Sequence, residues 1–253
     1  QAEGADLALV PDYQVDWTGA TLLDRDGQIV PALADVRVRQ AMNYAVDRET
    51  LLEQLQLGRG SATSQVFGPA SSAFVEDLED YYPYDPEKAR ELMAEAGYAD
   101  GFDITLPVIP AFSTQITALQ QQLGEIGIRV TPETVPAPDY VANTVQGRYP
   151  AFNFNLAQTE TWVAVNQLIS PTATFNPFET TSPELAELVT QVQAGDENSD
   201  AAAQDLNRYV TENAWFLPLY RIDQIAAYDP TALSVVAQVQ QAIPSIYNFA
   251  PAE

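Results

Sequence analysis

The sequence has 253 residues, of which 46% are hydrophobic, so it is long enough to bury one large core or two smaller ones. Its 11 lysine and arginine residues are outnumbered by 35 aspartate and glutamate residues, which gives a formal net charge of −24 at pH 7. This charge argues strongly against nucleic acid or an anionic membrane as a partner. Because histidine and cysteine are both absent, imidazole-based catalysis, thiolate nucleophiles and His or Cys metal sites are excluded.

Residues 1–31 contain few periodic signals. Within them, Asp24-Arg-Asp-Gly27 predicts a turn. We predict no calcium site there, because the glycine falls too close to the first aspartate and the later ligands of a calcium loop are missing. No apolar run in the sequence approaches the roughly 18 residues that a membrane-spanning helix needs.

Two capped helices are predicted after this segment. Asp35 can accept hydrogen bonds from the free amides of a first helical turn, and Asp47 can do the same for a second helix, Arg48–Leu57. Apolar residues after Asp35 recur at i, i+3, i+4, i+7 and i+8, which is the spacing of one buried helical face. These residues are Val38, Ala41, Met42, Ala45 and Val46.

Strands alternate with helices over the middle of the sequence. A helix is predicted to begin at Asp85-Pro-Glu87 and to end at Gly97. The alternation that follows predicts βαβ units with parallel pairing, and therefore an α/β lobe. The predicted strands are Asp103–Ile109, Ile128–Val135 and Ala151–Leu156, and the helices between them are Ser113–Ile126 and Asp139–Gln146.

The alternation stops at residues 159–181, which mix aromatic, amide and proline residues. Ser182 then begins another capped helix, which ends at Gly195. A further helix is predicted over Asp200–Ala214 and a strand over Trp215–Arg221. Pro218 is expected to place this strand near a sheet edge or a crossing.

Three ordered motifs carry a family resemblance. The first is Asp35-Val-Arg-Val-Arg-Gln-Ala41 followed by Asn43-Tyr-Ala-Val-Asp-Arg-Glu49, the second is Tyr84–Tyr98, and the third is Leu119–Val130. Together they closely resemble the signature of the family 5 extracytoplasmic solute-binding proteins. These are the oligopeptide-, dipeptide- and nickel-binding receptors of ABC importers. The resemblance covers roughly Leu22–Tyr220.

The resemblance implies an α/β fold of the periplasmic-binding-protein type II class, with a mixed, mainly parallel sheet flanked by helices. Full-length receptors of this family are longer, and their first lobe precedes the first motif, so the chain is expected to lack most of that lobe. We expect residues 1–32 to be a linker or return segment from the first lobe. Residues 33–221 are expected to form the second α/β lobe, and residues 222–253 to return toward the first.

Ligands bind such lobes at the loops that leave the carboxyl ends of parallel strands. Three loops qualify: Pro110–Ser113, Pro136–Asp139 and Gln158–Gln167. In the third, Trp162 offers a flat apolar face for stacking on a ligand, although a core or interface tryptophan is the alternative interpretation. The candidate ligand-binding residues are Thr159, Glu160, Thr161, Trp162, Asn166, Gln167 and, from the first loop, Phe112.

Peptide-binding members of the family carry a tryptophan followed by an acidic residue that pairs with the α-ammonium group of the peptide. Trp162 matches this tryptophan by its place after the predicted strand and ahead of Ser170-Pro171. The positions of the acidic residue read Ala164-Val-Asn-Gln167. Asn166 can accept a hydrogen bond but carries no charge, so recognition of a free amine stays open, with Glu160 as the alternative partner.

The charged motifs are interpreted as structural. The run Glu76–Asp80 lies in an irregular polar stretch and predicts solvated surface. Arg37 and Arg39 match the family motif and are expected to form salt bridges at a helix start. The sequence predicts no catalytic residue, no cofactor and no metal site.

The resemblance implies the substrate-binding component of an ABC-type importer. It would bind a peptide or another small solute in a cleft between two lobes and deliver it to the membrane permease subunits. The expected location is extracytoplasmic, in the periplasm or at the cell surface, with a lipid anchor on the full-length protein. Two alternatives remain: a secreted or cell-wall interaction module of the same fold without transport, and a hydrolase that uses two carboxylates.

Overall fold

The structure, a computed structural model, describes residues 7–10, 16–157, 160–223, 227–236 and 245–252. Short 3-10 helices occur at Pro31–Ala34, Glu76–Leu78, Pro110–Phe112 and Ile246–Asn248. The helices are α1 (Val36–Tyr44), α2 (Arg48–Gln56), α3 (Pro86–Glu95), α4 (Ser113–Gly124), α5 (Ala137–Val145), α6 (Thr161–Leu168), α7 (Pro183–Ala194) and α8 (Ser199–Glu212). The strands are β1 (Ala8–Leu9), β2 (Asp16–Leu22), β3 (Ser61–Ala62), β4 (Phe102–Val108), β5 (Ile128–Thr134), β6 (Ala151–Ala157), β7 (Phe216–Ile222), β8 (Ala227–Tyr228), β9 (Leu233–Val235) and β10 (Phe249–Pro251).

The predicted caps of α1, α2, α3 and α7 are confirmed. In each helix the capping side chain accepts a hydrogen bond from an amide of the first turn, which has no partner within the helix. The capping residues and the amides that donate to them are Asp35 and Arg37 (2.9 Å), Asp47 and Thr50 (3.0 Å), Asp85 and Lys88 (2.9 Å), and Ser182 and Leu185 (3.1 Å).

The main sheet has the strand order β3, β7, β2, β6, and all its described pairings are antiparallel. β4 and β5 form a separate parallel pair, with Phe102 opposite Ile128. The prediction of a mainly parallel sheet is therefore wrong for the described strands. The prediction failed because β6 pairs with β2, a strand that precedes the whole alternating passage in the sequence. Local alternation of strands and helices contains no information about such a partner.

β2 is one of the two inner strands of the main sheet. Thr18 pairs with Asn155 of β6 and with Tyr220 of β7. The register with β7 shifts between Thr18 and Gly19, as in a β-bulge. A side chain at Gly19 would collide with the carbonyl oxygen of Leu217, so glycine allows the two backbones to approach closely here.

The position of β2 bears on the predicted domain limits. β2 precedes residue 33, yet it pairs along its length with β6 and β7. The segment predicted as a linker over residues 1–32 thus contributes residues 16–22 to the sheet of the lobe predicted for residues 33–221.

Two clusters of buried side chains occupy the two faces of the main sheet. The first cluster draws on α1 to α5 and includes Ala20 and Leu22 of β2. The second draws on α6 to α8 and includes Trp17 and Phe216, whose rings meet edge to face with centroids 5.8 Å apart. Because successive residues of a strand point to opposite faces, β2 contributes to both cores.

Four arginines are buried in this acidic protein: Arg25, Arg39, Arg48 and Arg221, each at most 6% exposed. Backbone carbonyl groups replace water around them. Arg48, for example, donates to the carbonyl oxygen of Pro218 at 2.8 Å. Burial lowers the pKa of Arg48 to about 10, so its guanidinium still carries a charge at neutral pH.

The two arginines of the first motif have different roles. Arg37 forms the predicted salt bridge, with its Nη2 atom 2.6 Å from Asp35 Oδ2. Arg39 instead donates to the carbonyl oxygens of Leu33 at 2.6 Å and Asn213 at 2.9 Å. The prediction of a salt bridge is therefore wrong for Arg39, which links the start of α1 to the segment after α8.

The acidic run Glu76–Asp80 is not solvated along its whole length. The Nη1 atom of buried Arg221 lies 2.7 Å and 2.9 Å from the two carboxylate oxygens of Glu79. Its Nη2 atom donates to the Phe67 carbonyl oxygen at 3.0 Å, and the guanidinium lies 5.7 Å from the Phe74 ring centroid. The interpretation as solvated surface is wrong for Glu79, because its carboxylate pairs with Arg221. The local sequence pattern does not reveal this pairing, since Arg221 is 142 residues away.

We expect Glu79→Ala to lower the free energy of unfolding by about 2–4 kcal/mol, because it leaves the buried Arg221 charge without its partner. Asp77→Ala, an exposed position in the same run, is the matched control and should change stability by less than about 0.5 kcal/mol. Chemical denaturation of both variants measures the difference. Equal stabilities would contradict a structural role for Glu79.

Candidate functional site

The chain enters and leaves the main sheet at the same place. Asp16, the first residue of β2, lies opposite both Ala157, the last residue of β6, and Ile222, the last residue of β7. We call this end of the sheet, formed by Asp16, Ala157 and Ile222, the exit edge. Beyond it, β1 and β8 pair antiparallel, with Ala8 opposite Tyr228. β2 therefore begins where β6 and β7 end, and the chain continues from β6 toward α6 at this same end of the sheet.

A short helix follows β6 close to the exit edge. α6 lies inside the segment 159–181, where the alternation was predicted to stop. Ala164, Val165 and Leu168 are buried against the second cluster, which explains why these residues form a helix here. Such a short apolar pattern is a weak signal in the sequence. Gln158 and the predicted site residue Thr159 lie outside the described residues.

α6 brings several of the predicted site residues together. Trp162 and Asn166 are four residues apart, so they share one face of the helix. The Trp162 side chain is half-buried and packs against the second cluster, whereas Glu160, Asn166 and Gln167 are exposed. One part of the ring therefore packs on the core and another part faces solvent, and the prediction that Trp162 stacks on a ligand stays a prediction.

Thr161, at the first position of α6, joins the helix to a distant loop. Its Oγ1 atom lies 2.9 Å from Ser71 Oγ and 3.0 Å from Ser72 Oγ. These two serines were not predicted as site residues. They precede α6 by about 90 residues, and only the fold brings them to it.

Phe112 lies apart from α6, in an aromatic group within the first cluster. It is 8% exposed, and its ring centroid is 5.9 Å from that of Tyr140 and 6.1 Å from that of Phe154. Burial raises the pKa of the Tyr140 phenol, which donates to the Asn153 carbonyl oxygen at 2.6 Å. Phe112 is thus mainly a packing residue of the first cluster, and the prediction that it binds ligand stays a prediction.

The described residues contain no group of three or more His, Cys, Asp or Glu side chains that could hold a metal ion. Among the described helices, none is both long enough and apolar enough to cross a membrane. The predicted site residues on and beside α6 are one aromatic ring, neutral hydrogen-bonding side chains and the acidic residue Glu160.

Residues 10–181 match the family of bacterial extracellular solute-binding proteins, family 5, in its middle region. The chain belongs to this family. The resemblance drawn from the three ordered motifs is thereby confirmed. The family comprises binding proteins of ABC importers.

Two relatives and one solved structure illustrate the similarity. Heme-binding protein A of Haemophilus influenzae is 35% identical over 124 residues, which cover 46% of this chain and 22% of that protein. Glutathione-binding protein GsiB of Salmonella choleraesuis is 39% identical over 115 residues, which cover 44% and 22%. The periplasmic binding protein DppA of Helicobacter pylori, solved with the peptide STSA, superposes with a TM-score of 0.83 at 15% identity over 98% of this chain and 49% of that one.

This superposition confirms the α/β fold of the periplasmic-binding-protein type II class. It also shows that the chain spans about half of the solved relative, with 49% of that structure covered. The matched segments are likewise only 22% of each curated relative. The named relatives are binding proteins, and no enzyme is among them.

The contact between Thr161 and the two serines gives a test of how α6 is held. We expect Thr161→Val to lower the free energy of unfolding by about 1 kcal/mol, because two hydroxyl contacts are lost. Amide hydrogen exchange should also become faster over residues 71–75. Thr117→Val is the control, since the Thr117 hydroxyl bonds only within its own helix, to Ser113. Equal effects of the two variants would contradict a link between the loop and α6.

Proposed function

We propose that this chain is the ligand-contacting lobe of the substrate-binding component of an ABC importer. It binds a peptide or another small solute at the exit edge, for delivery to a membrane permease. Family membership is the observation that carries this proposal. The geometry supports it, because β2 begins and β6 and β7 end at one end of the sheet, and α6 follows β6 there.

In this proposal the residues on and beside α6 contact different parts of the solute. The exposed part of Trp162 stacks on an apolar portion of the solute, and Asn166, on the same helical face, orients a polar group beside it. Gln167 and Thr159 add neutral hydrogen-bonding groups. Glu160 is the candidate partner for a cationic group, since Asn166 carries no charge.

The solute is proposed to be a peptide. One relative is named for glutathione, which is a tripeptide, and the solved relative holds the peptide STSA. Another relative is named for haem, so haem is the second candidate. The candidate site of this chain has hydrogen-bonding amides and an aromatic ring, which suits peptide better than a metal-centred ligand.

The complete binding site is proposed to need a second lobe. Several large apolar side chains after the exit edge are exposed, among them Val236 at 69%, Ile246 at 80% and Tyr247 at 93%. Exposed apolar side chains of this size are typical of surfaces that another part of a protein covers. The first lobe of the same protein is the proposed partner, and the extracytoplasmic location with a lipid anchor is part of the same proposal.

The test uses the gene product that contains this chain. We expect native mass spectrometry and calorimetry to detect binding of short peptides from a panel that also includes glutathione and haem. The same assays follow the chemical integrity of each compound, so turnover would appear as a new mass. Cleavage of peptides or glycosides would favour the hydrolase alternative. Absence of binding to every compound would favour the interaction module.

Trp162→Ala should weaken binding of the retained peptide by about 1–3 kcal/mol, the range of a single aromatic contact at an interface. It should also lower stability by about 1–2 kcal/mol, less than a fully buried tryptophan would cost, because the side chain is only half-buried. Val163→Ala, at an exposed neighbouring position of α6, is the control for both measurements. A sharp loss of stability at unchanged affinity would make Trp162 a core residue and contradict the assignment.

A further inference from the structure

Leu57, the residue that caps the end of α2, has a backbone conformation that leucine rarely adopts. Its φ of 58° lies in the left-handed region. The amide of the next residue, Gly58, donates to the Leu52 carbonyl oxygen at 3.2 Å. This is a hydrogen bond of the Schellman motif, whose left-handed residue is usually glycine because a side chain is strained there. The sequence therefore has leucine at a position where glycine would cost less.

Packing within the described residues does not compensate for this cost. The Leu57 side chain is 80% exposed. It belongs neither to the two clusters of buried side chains nor to the half-buried residues that pack against them. Leu51, Leu52 and Leu55 of the same helix all contact the first cluster. A bulky residue held in an uncommon conformation, with its side chain in solvent, points to a contact outside the described residues.

The turn after α2 places Leu57 near the exit edge. Gly60 lies against the carbonyl oxygen of Arg221, so closely that a side chain at Gly60 would collide with it. Ser61 of β3 then pairs with Arg221, which directly precedes Ile222 at the exit edge. Leu57 is three residues from Gly60, which is at most about 11 Å along the chain. The turn is thus fixed at both ends, by α2 and by β7, and it presents Leu57 close to the place where β7 ends.

The exposed apolar surface continues from Leu57 into the segments beyond the exit edge. Leu9 of β1 is 48% exposed, and Val236 and Ile246 are 69% and 80% exposed. The proposed function assigns the latter two residues to contact with a first lobe. The superposition on DppA covers 98% of this chain but 49% of that structure, so the fold has room for a second body of similar size. β1 and β8 lie past the exit edge, which favours this side for that body.

The chemistry of Leu57 defines the surface that would receive it. A leucine side chain has no polar atom, so an apolar recess is its complement, and removal of the side chain from water stabilises the contact. The turn already holds the side chain in place, which reduces the entropic cost of forming the contact. Burial in such a recess would offset the cost of the left-handed conformation.

We propose that Leu57 inserts into an apolar recess of the first lobe and thereby fixes how the two lobes pack at the exit edge. This inference rests on the proposed function, which supplies the first lobe. It goes beyond that function because it names a contact between the lobes in which neither the solute nor the permease takes part.

The first test measures thiol labelling of the gene product that contains this chain, without any solute. This chain has no cysteine, so Leu57→Cys and Ile29→Cys each add one thiol to it. Ile29 is 43% exposed and follows the opposite end of β2, which makes it the matched control. We expect the Leu57→Cys thiol to react with a maleimide at least about tenfold more slowly than the Ile29→Cys thiol, because a covered side chain reacts only after local opening. Equal rates would overturn the inference.

The second test compares melting temperatures, for which the covered and the exposed states of Leu57 predict opposite signs. Leu57→Gly relieves the left-handed strain but removes the side chain. If the first lobe covers Leu57, the gene product should melt about 2 °C or more below the wild type. An unchanged or higher melting temperature would overturn the inference, because that is the effect of relieving strain at a solvent-exposed position. Glu179→Gly is the control: Glu179 is exposed with a φ of 54°, and its replacement should not lower the melting temperature.

The labelling experiment also separates other occupants from the first lobe. Protection of Leu57→Cys that requires added peptide, glutathione or haem would overturn the inference in favour of the solute. Protection that disappears when a dimer is diluted to monomers would overturn it in favour of a second copy. Protection that requires the permease would overturn it in favour of a membrane partner. Failure of the proposed function is a different result, in which the wild type binds none of the compounds, and the labelling rates are measured without them.

Discussion

The pairing of β2 with both β6 and β7 is the constraint on which the rest of the structure depends. Because Asp16 lies opposite both Ala157 and Ile222, these two residue pairs place the ends of β6 and β7 beside the start of β2. A slip of one residue in this register would exchange the two faces of β2. Trp17 would leave the second core, and Thr18 would lose its hydrogen bond to Gln115. The location of the candidate site is therefore a property of the sheet register more than of α6 itself.

The buried arginines extend this constraint to the segments around the sheet. Burial, reinforced by the charge of Arg39, lowers the pKa of Arg25 to about 9. The Arg25 guanidinium lies 3.8 Å from the Trp215 ring centroid and donates to Asn176 Oδ1 at 2.5 Å. The adjacent Asp24 carboxylate accepts three backbone amides instead of pairing with it. The Leu22 carbonyl oxygen, a ring and an amide thus contact the cation directly, whereas the charges of Asp26 and Asp24 favour it without a direct ion pair. These contacts tie distant segments together at the cost of desolvation.

The sequence predicts the parts of the fold that depend on neighbouring residues. The caps at Asp35 and Asp85, and the strands and helices from β4 to β6, are found within a few residues of their predicted limits. What it does not predict are contacts between distant residues. The antiparallel partner of β6, the pairing of Glu79 with Arg221 and the bond of Gln115 to Thr18, 97 residues away, all belong to this class. The same distinction holds for the candidate site. The sequence predicts its aromatic and amide residues, such as Trp162 and Asn166, but it does not predict that Ser71 and Ser72 contact Thr161 of α6.

Charge has separate roles on the surface and at the exit edge. Four of the 11 basic residues are buried, so the exposed surface is more acidic than the net charge of −24 alone indicates. Such a field acts over about 8–10 Å at ordinary salt and changes how fast charged solutes arrive. The side chains that face a solute in the proposed site are mostly neutral, and hydrogen bonds to neutral groups discriminate by geometry at short range. In the proposed function, selection of the solute would therefore depend on the neutral side chains of α6, whereas the acidic surface would affect mainly the rate of encounter.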